Sequence, residues 1–267
     1  MLPLRLGLRM VRGLSNLHAA RILAARADSP FDSVEDVWRR SGVPVAALEK
    51  LADADAFASL GLDRRQALWR VRGLGEAPLP LFAAADALGS EPEVALTPLT
   101  GGREVVEDYR SVQLSLREHP VAFLRGELGA RVTTCAGLAR LKDGGRVEVA
   151  GLVLIRQRPG KGNVTFITLE DETGIANVIL WQRKFEAQRR VVMGAAMLGV
   201  KGVMQKEGEV IHIVADRLED LTPLLHRVGA MDFPHSYAPA DGGRGATPDP
   251  RKAKADGVIK VKSRDFH

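Results

Sequence analysis

The strongest constraint on this chain is an alternating stretch that begins at residue 146. In RVEVAGLVLIRQ, Val147, Val149, Gly151, Val153 and Ile155 alternate with Glu148, Ala150, Leu152, Leu154 and Arg156. A two-residue period of this kind is that of a strand. A Pro-Gly-Lys-Gly turn at 159–162 leads into NVTFITLED (163–171), and Thr173-Gly174 leads into IANVILW (175–181). A helix fits 182–192, and further strands fit 196–205 and 210–218. Five strands with a helix between the third and fourth is the order of an OB-fold barrel.

The first 75 residues show no alternation and read as short helices. Ser15 and Asn16 offer caps for a helix over 16–27, Ser33 for one over 34–40, and Asp63 for one over 64–71. Pro44 suits the first turn of a helix that runs to about Ala52. The expected fold class is therefore α+β, in four parts. They are a helical module at 1–75, an acidic linker and connecting helix at 76–130, a barrel at 131–222, and a flexible basic tail at 223–267. Charge follows these boundaries. The first part carries 12 Lys/Arg against 8 Asp/Glu, the second 4 against 9, and the remaining 137 residues are net basic. Basic modules on either side of an acidic connector suit a phosphate-bearing partner, although mixed surfaces with a small cationic excess are also common without one.

Several classes of chemistry find no support in the sequence. Cys135 is the only cysteine, which excludes an internal disulfide and a multi-cysteine zinc site. No apolar run reaches the roughly 18 residues of a membrane span, and a cytoplasmic location is expected. Asp53-Ala54-Asp55 resembles a two-carboxylate metal motif, but it closes a helix and has no third carboxylate in a strand beside it. His119 and His212 have no nucleophile or metal-ligand partner at useful spacing. No cofactor is expected.

Two constellations point to nucleic acid. Residues 6–26 read as helix, hairpin and helix, with Arg12, Gly13, Leu14 and Ser15 in the hairpin. Glycine there allows a close backbone approach to a phosphate, and the amides that open the second helix point at the anion. A Gly-containing turn between two core helices would look the same. A half-similar unit at 45–69, with its turn around 56–61, argues for a tandem pair that grips duplex DNA. In the barrel, Arg156, Arg158 and Lys161 make the first loop basic, and Phe166 and Trp181 could stack on unpaired bases. Either face of the strand bearing Phe166 could equally be core.

Read in order, the strings VRGLS, LEKLADADAFASLGLDRRQALW, VEDYRSVQLSLREHPVAFLR, VAGLVLIRQRPGKGNVTFITLEDETGIANVILW and KVKSRDFH resemble the C-terminal part of the bacterial error-prone DNA polymerases. These belong to the C family, which also includes the alpha subunit of DNA polymerase III. The resemblance implies a DNA-directed DNA polymerase (a nucleotidyltransferase) of damage-tolerant replication and DNA repair, acting with accessory proteins of a mutagenic complex. It also implies that the catalytic palm and its magnesium ions lie outside this chain, which is then inactive alone. Replicative relatives carry a glutamine-led clamp-binding peptide where this chain has PLPLF, with Pro78 in place of the glutamine. Weak or no direct binding to a sliding clamp is expected. The alternatives are a standalone single-strand-binding or repair-scaffold protein, and a module that binds mutasome proteins instead of DNA.

Overall fold

The structure, a computed structural model, describes residues 5–74, 96–160, 162–208, 210–231, 259 and 264–266. The chain divides into two compact units. One comprises Met1–Leu99 with Arg110–Leu114, and the other Thr100–Tyr109 with Ser115–His267.

In the first unit the capping residues set where helices start. The Ser15 hydroxyl accepts from His18 N (3.1 Å) and opens α1 (Asn16–Asp28). The Ser33 hydroxyl accepts from Asp36 N (3.0 Å) and opens α2 (Val34–Ser41), which Gly42 ends in the left-handed region at φ 59°. Pro44 stands at the N-cap of α3 (Val45–Asp53), one position before the first turn expected from the sequence. Asp63 caps α4 (Arg64–Arg72). Residues three and four apart on these helices (Val34 and Val37; Leu48, Leu51 and Ala52; Ala67 and Val71) meet Val11, Ile22, Phe57 and Leu62 in one core. The arm before the first hairpin is only a 3-10 turn, Leu8–Met10. Gly7 provides it no side-chain cap, and Val11 ends it in extended conformation.

The second unit is built on β1 (Arg146–Gln157), β2 (Val164–Asp171), β3 (Gly174–Trp181), β4 (Met197–Glu207) and β5 (Val210–Asp220). The strands pair in the order β2-β3-β5-β4-β1, and β1 also pairs with β2, which closes the barrel. This is the OB-fold arrangement expected from the strand order. The β1 strand serves both neighbours, pairing with β4 from Arg146 to Leu152 and with β2 from Leu152 to Gln157. Val147, Val149, Ile167, Leu169, Val178, Leu180, Val200 and Ile213 fill the interior. Instead of a single helix after β3 there are two, α7 (Gln182–Ala187) and α8 (Arg189–Gly194). They break at Gln188, whose side-chain amide oxygen accepts from Leu218 N of β5 at 2.7 Å.

A second core lies on the outside of β1 and β4. It joins Ala150, Leu152 and Met197 to Val105 and Val106 of α5 (Gly101–Ser111), Val121, Phe123 and Leu124 of α6 (Pro120–Leu128), and Leu225 and Val228 of α9 (Thr222–Val228). Two expectations change here. Part of the segment read as an acidic linker, α6 in particular, belongs to the barrel unit. Its apolar side has a partner in the outer surface of β1, a surface that strand alternation alone would assign to solvent. The tail is likewise anchored at the points described. Ile259 is 1% exposed within this second core, and β6 (Arg264–Phe266) pairs in parallel with Ile155–Gln157 of β1.

Asp171, 3% exposed at the end of β2, ties these pieces together. Its carboxylate accepts from the backbone N–H groups of Cys135 (2.8 Å), Thr173 (2.8 Å) and Gly174 (3.1 Å). It also accepts from the Thr173 hydroxyl (2.7 Å) and the Arg125 guanidinium (3.0 Å). Burial alone would raise its pKa, but the donors from Thr173, Cys135 and Arg125 outweigh it and hold the carboxyl below its ordinary 3.8. The adjacent Cys135 thiol is pushed up to about 12, first by burial and then by Asp171. A carboxyl depressed in the folded state stabilises the fold above its ordinary pKa, and that contribution fades as pH falls through the lower folded value. Asp171→Asn is thus expected to cost on the order of 3 kcal/mol at neutral pH, because buried donors lose a charged acceptor. It should also flatten the acid limb of the stability curve below about pH 3.8. Denaturant titrations from pH 2.5 to 7 test both, and a variant of unchanged stability would remove Asp171 from this role.

Candidate nucleic-acid interface

Each of the two units presents one surface with the chemistry of a nucleic-acid contact. In the helical unit it is the hairpin Arg12-Gly13-Leu14-Ser15. The Arg12 amide is anchored on Ser111 O at 2.8 Å, and Gly13 turns the chain at φ 76°, a region that L side chains rarely adopt. Ser15 then starts α1. Beyond this point the amides of Gly13, Ser15, Asn16 and Leu17 have no partner among the described residues, and the Arg12 guanidinium is exposed without one. Lys50, reaching over from α3, donates from Nζ to Gly13 O at 2.6 Å and brings a second cation to the hairpin. The sequence reading missed Lys50, since its contact spans 37 positions of chain. Outward amides, a helix N-terminus and two cations can together hold a phosphate without reading sequence.

In the barrel unit the surface is the outer face of β2 and β3. Thr165, Ile167 and Leu169 point inward, so Val164, Phe166 and Thr168 point out. Opposite them stand Trp181, Ile179 and Asn177 of β3. Register carries the row across the sheet, from Gln157 on β1 through Phe166 and Ile179 to Val214 on β5. Phe166 is 39% exposed and Trp181 53%, high values for large rings. Flat exposed rings on a sheet accept the faces of unpaired bases. Arg183 on α7 and Arg190 on α8 are exposed with no partner among the described residues. Both went unnoticed in the sequence because they belong to helices flanking the barrel.

The cationic residues expected in the first barrel loop do not act together. Arg158 is half-committed. Its Nε donates to Gly162 O (3.3 Å), its guanidinium lies over the Phe185 ring (5.1 Å), and Glu186 is 3.9 Å away. Arg156 must be withdrawn from the set. It is 8% exposed, and its guanidinium donates to Val192 O (Nε, 2.6 Å) and to Ala195 O, which fastens the end of α8 to β1. The cause is a bulge. Val153 pairs with Leu169 and Ile155 with Thr168, so Leu154 is an extra residue that inverts the alternation and sets Arg156 beside inward-facing Ile167. Lys161 lies outside the described residues, as do Pro78, Leu81 and Phe82. Among the described residues no cluster of three or more His, Cys, Asp or Glu could hold a metal ion, and no helix is long and apolar enough to cross a membrane.

These two surfaces sit on two recognisable modules. The helix-hairpin-helix motif family matches residues 2–67, and the OB-fold nucleic acid binding domain family matches residues 147–221. The chain therefore joins a helix-hairpin-helix unit to a nucleic-acid-binding type of barrel. Over 98% of its length it is 53% identical to error-prone DNA polymerase 1 of Agrobacterium fabrum and 50% identical to error-prone DNA polymerase 2 of Rhizobium meliloti. Over 86% it is 51% identical to the error-prone DNA polymerase of Allorhizobium ampelinum. It spans about a quarter of the length of these relatives: 26%, 27% and 22%. The resemblance to error-prone DNA polymerases drawn from the sequence strings is borne out.

The placement of Arg156 has a measurable consequence. Arg156→Ala removes a charged donor from two backbone carbonyls and is expected to lower the unfolding free energy by about 2 kcal/mol. The salt dependence of oligonucleotide binding by the folded variant should not change. A reduced salt slope without loss of stability would return Arg156 to the surface.

Proposed function

We propose that this chain is the DNA-binding region of an error-prone, damage-tolerant DNA polymerase of DNA repair, acting in the cytoplasm. The first hairpin holds the phosphates of duplex DNA, and the outer face of the barrel takes the unpaired strand. The observation that carries this reading is the outward row Gln157–Phe166–Ile179–Val214 with Trp181 beside it, which places two exposed rings on the face that OB barrels use for oligonucleotides. The names of the relatives support the polymerase context. Polymerisation and its magnesium chemistry are assigned to other parts of such an enzyme. Accessory proteins of the same mutagenic complex, and weak or no direct contact with a sliding clamp, complete the proposal.

Binding of the full chain to fluorescent duplex and single-stranded oligonucleotides at several salt concentrations tests it. Phe166→Ala and Trp181→Ala should each weaken single-strand binding by about 1–3 kcal/mol with little change in salt slope, because stacking releases no counterions. Arg183→Ala and Arg190→Ala should reduce the single-strand slope by up to about 0.7 each, and Arg12→Ala and Lys50→Met the duplex slope by about 0.9 each. Unchanged single-strand affinity in the two aromatic variants would rule out the barrel face as the binding surface.

A further inference from the structure

We infer that Asp63 closes the second hairpin of the helical unit to phosphate by filling its anion position from within the chain. Resting on the duplex-binding reading above, this makes the tandem pair unequal, with the first hairpin as the grip and the second as a scaffold.

The two hairpins share a backbone from the glycine onward. A 3-10 turn precedes each: Leu8–Met10 is separated from Gly13 by Val11 and Arg12, whereas Ala58–Leu60 runs directly into Gly61. Each then passes through a left-handed glycine, Gly13 at φ 76° and Gly61 at φ 74°. A leucine follows, Leu14 or Leu62, and then an extended N-cap, Ser15 at φ −74°, ψ 149° or Asp63 at φ −71°, ψ 167°. Backbone shape alone would assign both the same task. The sequence obscured this match, since Gly61 falls at the end of the turn as read from composition.

The donors differ. In the first hairpin the amides of Gly13 and Ser15 have no partner among the described residues, and the cap is a neutral hydroxyl. In the second, Gly61 N donates to Ala58 O (3.1 Å), and Asp63 N donates to Oε1 of Gln66 (3.0 Å). The Asp63 carboxylate accepts from Gln66 N at 2.8 Å, the place that the neutral Ser15 hydroxyl takes on His18 N in the first hairpin. It also contributes a negative charge at the helix end that favours anions, so a phosphate would meet repulsion where it should meet attraction. The cations that open α4 bond carbonyls outside the hairpin. Arg64 is buried and donates to Asp53 O, and Arg65 donates to Thr97 O at 2.6 Å. At the first hairpin, by contrast, Arg12 and Lys50 both stand beside the exposed amides.

A residue that merely caps α4 would affect stability only, so the test uses substitutions that keep a cap. Asp63→Ser and Asp63→Asn in the full chain are compared with the unaltered chain and with Asp32→Asn, which removes a charge from an exposed position that belongs to neither hairpin. Thermal unfolding confirms that each variant is folded. Both Asp63 variants are expected to bind duplex threefold or more tightly at low salt, with a slope of log affinity against log salt steeper by about 0.9, the signature of one additional phosphate contact. Asp32→Asn should change neither. The inference is overturned if the folded Asp63 variants show no gain, or if Asp32→Asn shows an equal one. Arg12→Ala reports separately on the underlying reading. If it leaves duplex binding unchanged, the first hairpin is not the grip, while the Asp63 comparison still decides whether the second was closed.

Discussion

Closure of the barrel depends on β1 being shared between two neighbours. Its first half hydrogen-bonds to β4 and its second half to β2, and the changeover occurs around Leu152, which appears in both ladders. A strand can serve both sides of a closed sheet only if it bends, and the extra residue at Leu154 supplies the bend. Everything near the candidate single-strand surface follows from this. The bulge sets the side on which Gln157 meets Phe166, commits Arg156 to the end of α8, and leaves the outer edge of Ile155–Gln157 available for β6.

The barrel has apolar surface on both sides of β1, which governs how the rest of its unit is arranged. Val147, Val149 and Val153 face the interior, whereas Ala150 and Leu152 face out and are covered by α5, α6, α9 and Ile259. Helices cover the β1–β4 side, and among the described residues the β2–β3 side is the open sheet face of this unit. An exposed aromatic pair there is therefore not a packing residue left without a partner, since the interior is already filled by the opposite faces of the same strands. The helical unit divides its surfaces in a similar way. Its described helices bury one apolar side each, and the first hairpin keeps amides that have no partner among the described residues.

Much of this was legible in the sequence, and the reason is local. The alternation of β1, the turns at 159–162 and 173–174, and the caps at Ser15, Ser33 and Asp63 each depend on residues within a few positions of one another. The hairpin Arg12-Gly13-Leu14-Ser15 could be named for the same reason, because a left-handed glycine ahead of a capping serine is a local pattern. Phe166 and Trp181 could be singled out, but their exposure could not be settled, since alternation gives two faces without saying which is core.

What only the tertiary structure decided concerns partners far apart in the chain. Arg156 reads as a loop cation until Val192 and Ala195 are brought to it. Lys50 reads as an ordinary helical lysine until α3 is laid against the first hairpin. The tail reads as mobile until Ile259 finds a core made of residues from 105 to 228. The sequence by itself determined the element order, the caps and the barrel topology, because backbone propensity and hydrophobic period act over short distances. It could not determine which cations face solvent, because that depends on a one-residue bulge and on carbonyls more than thirty positions away.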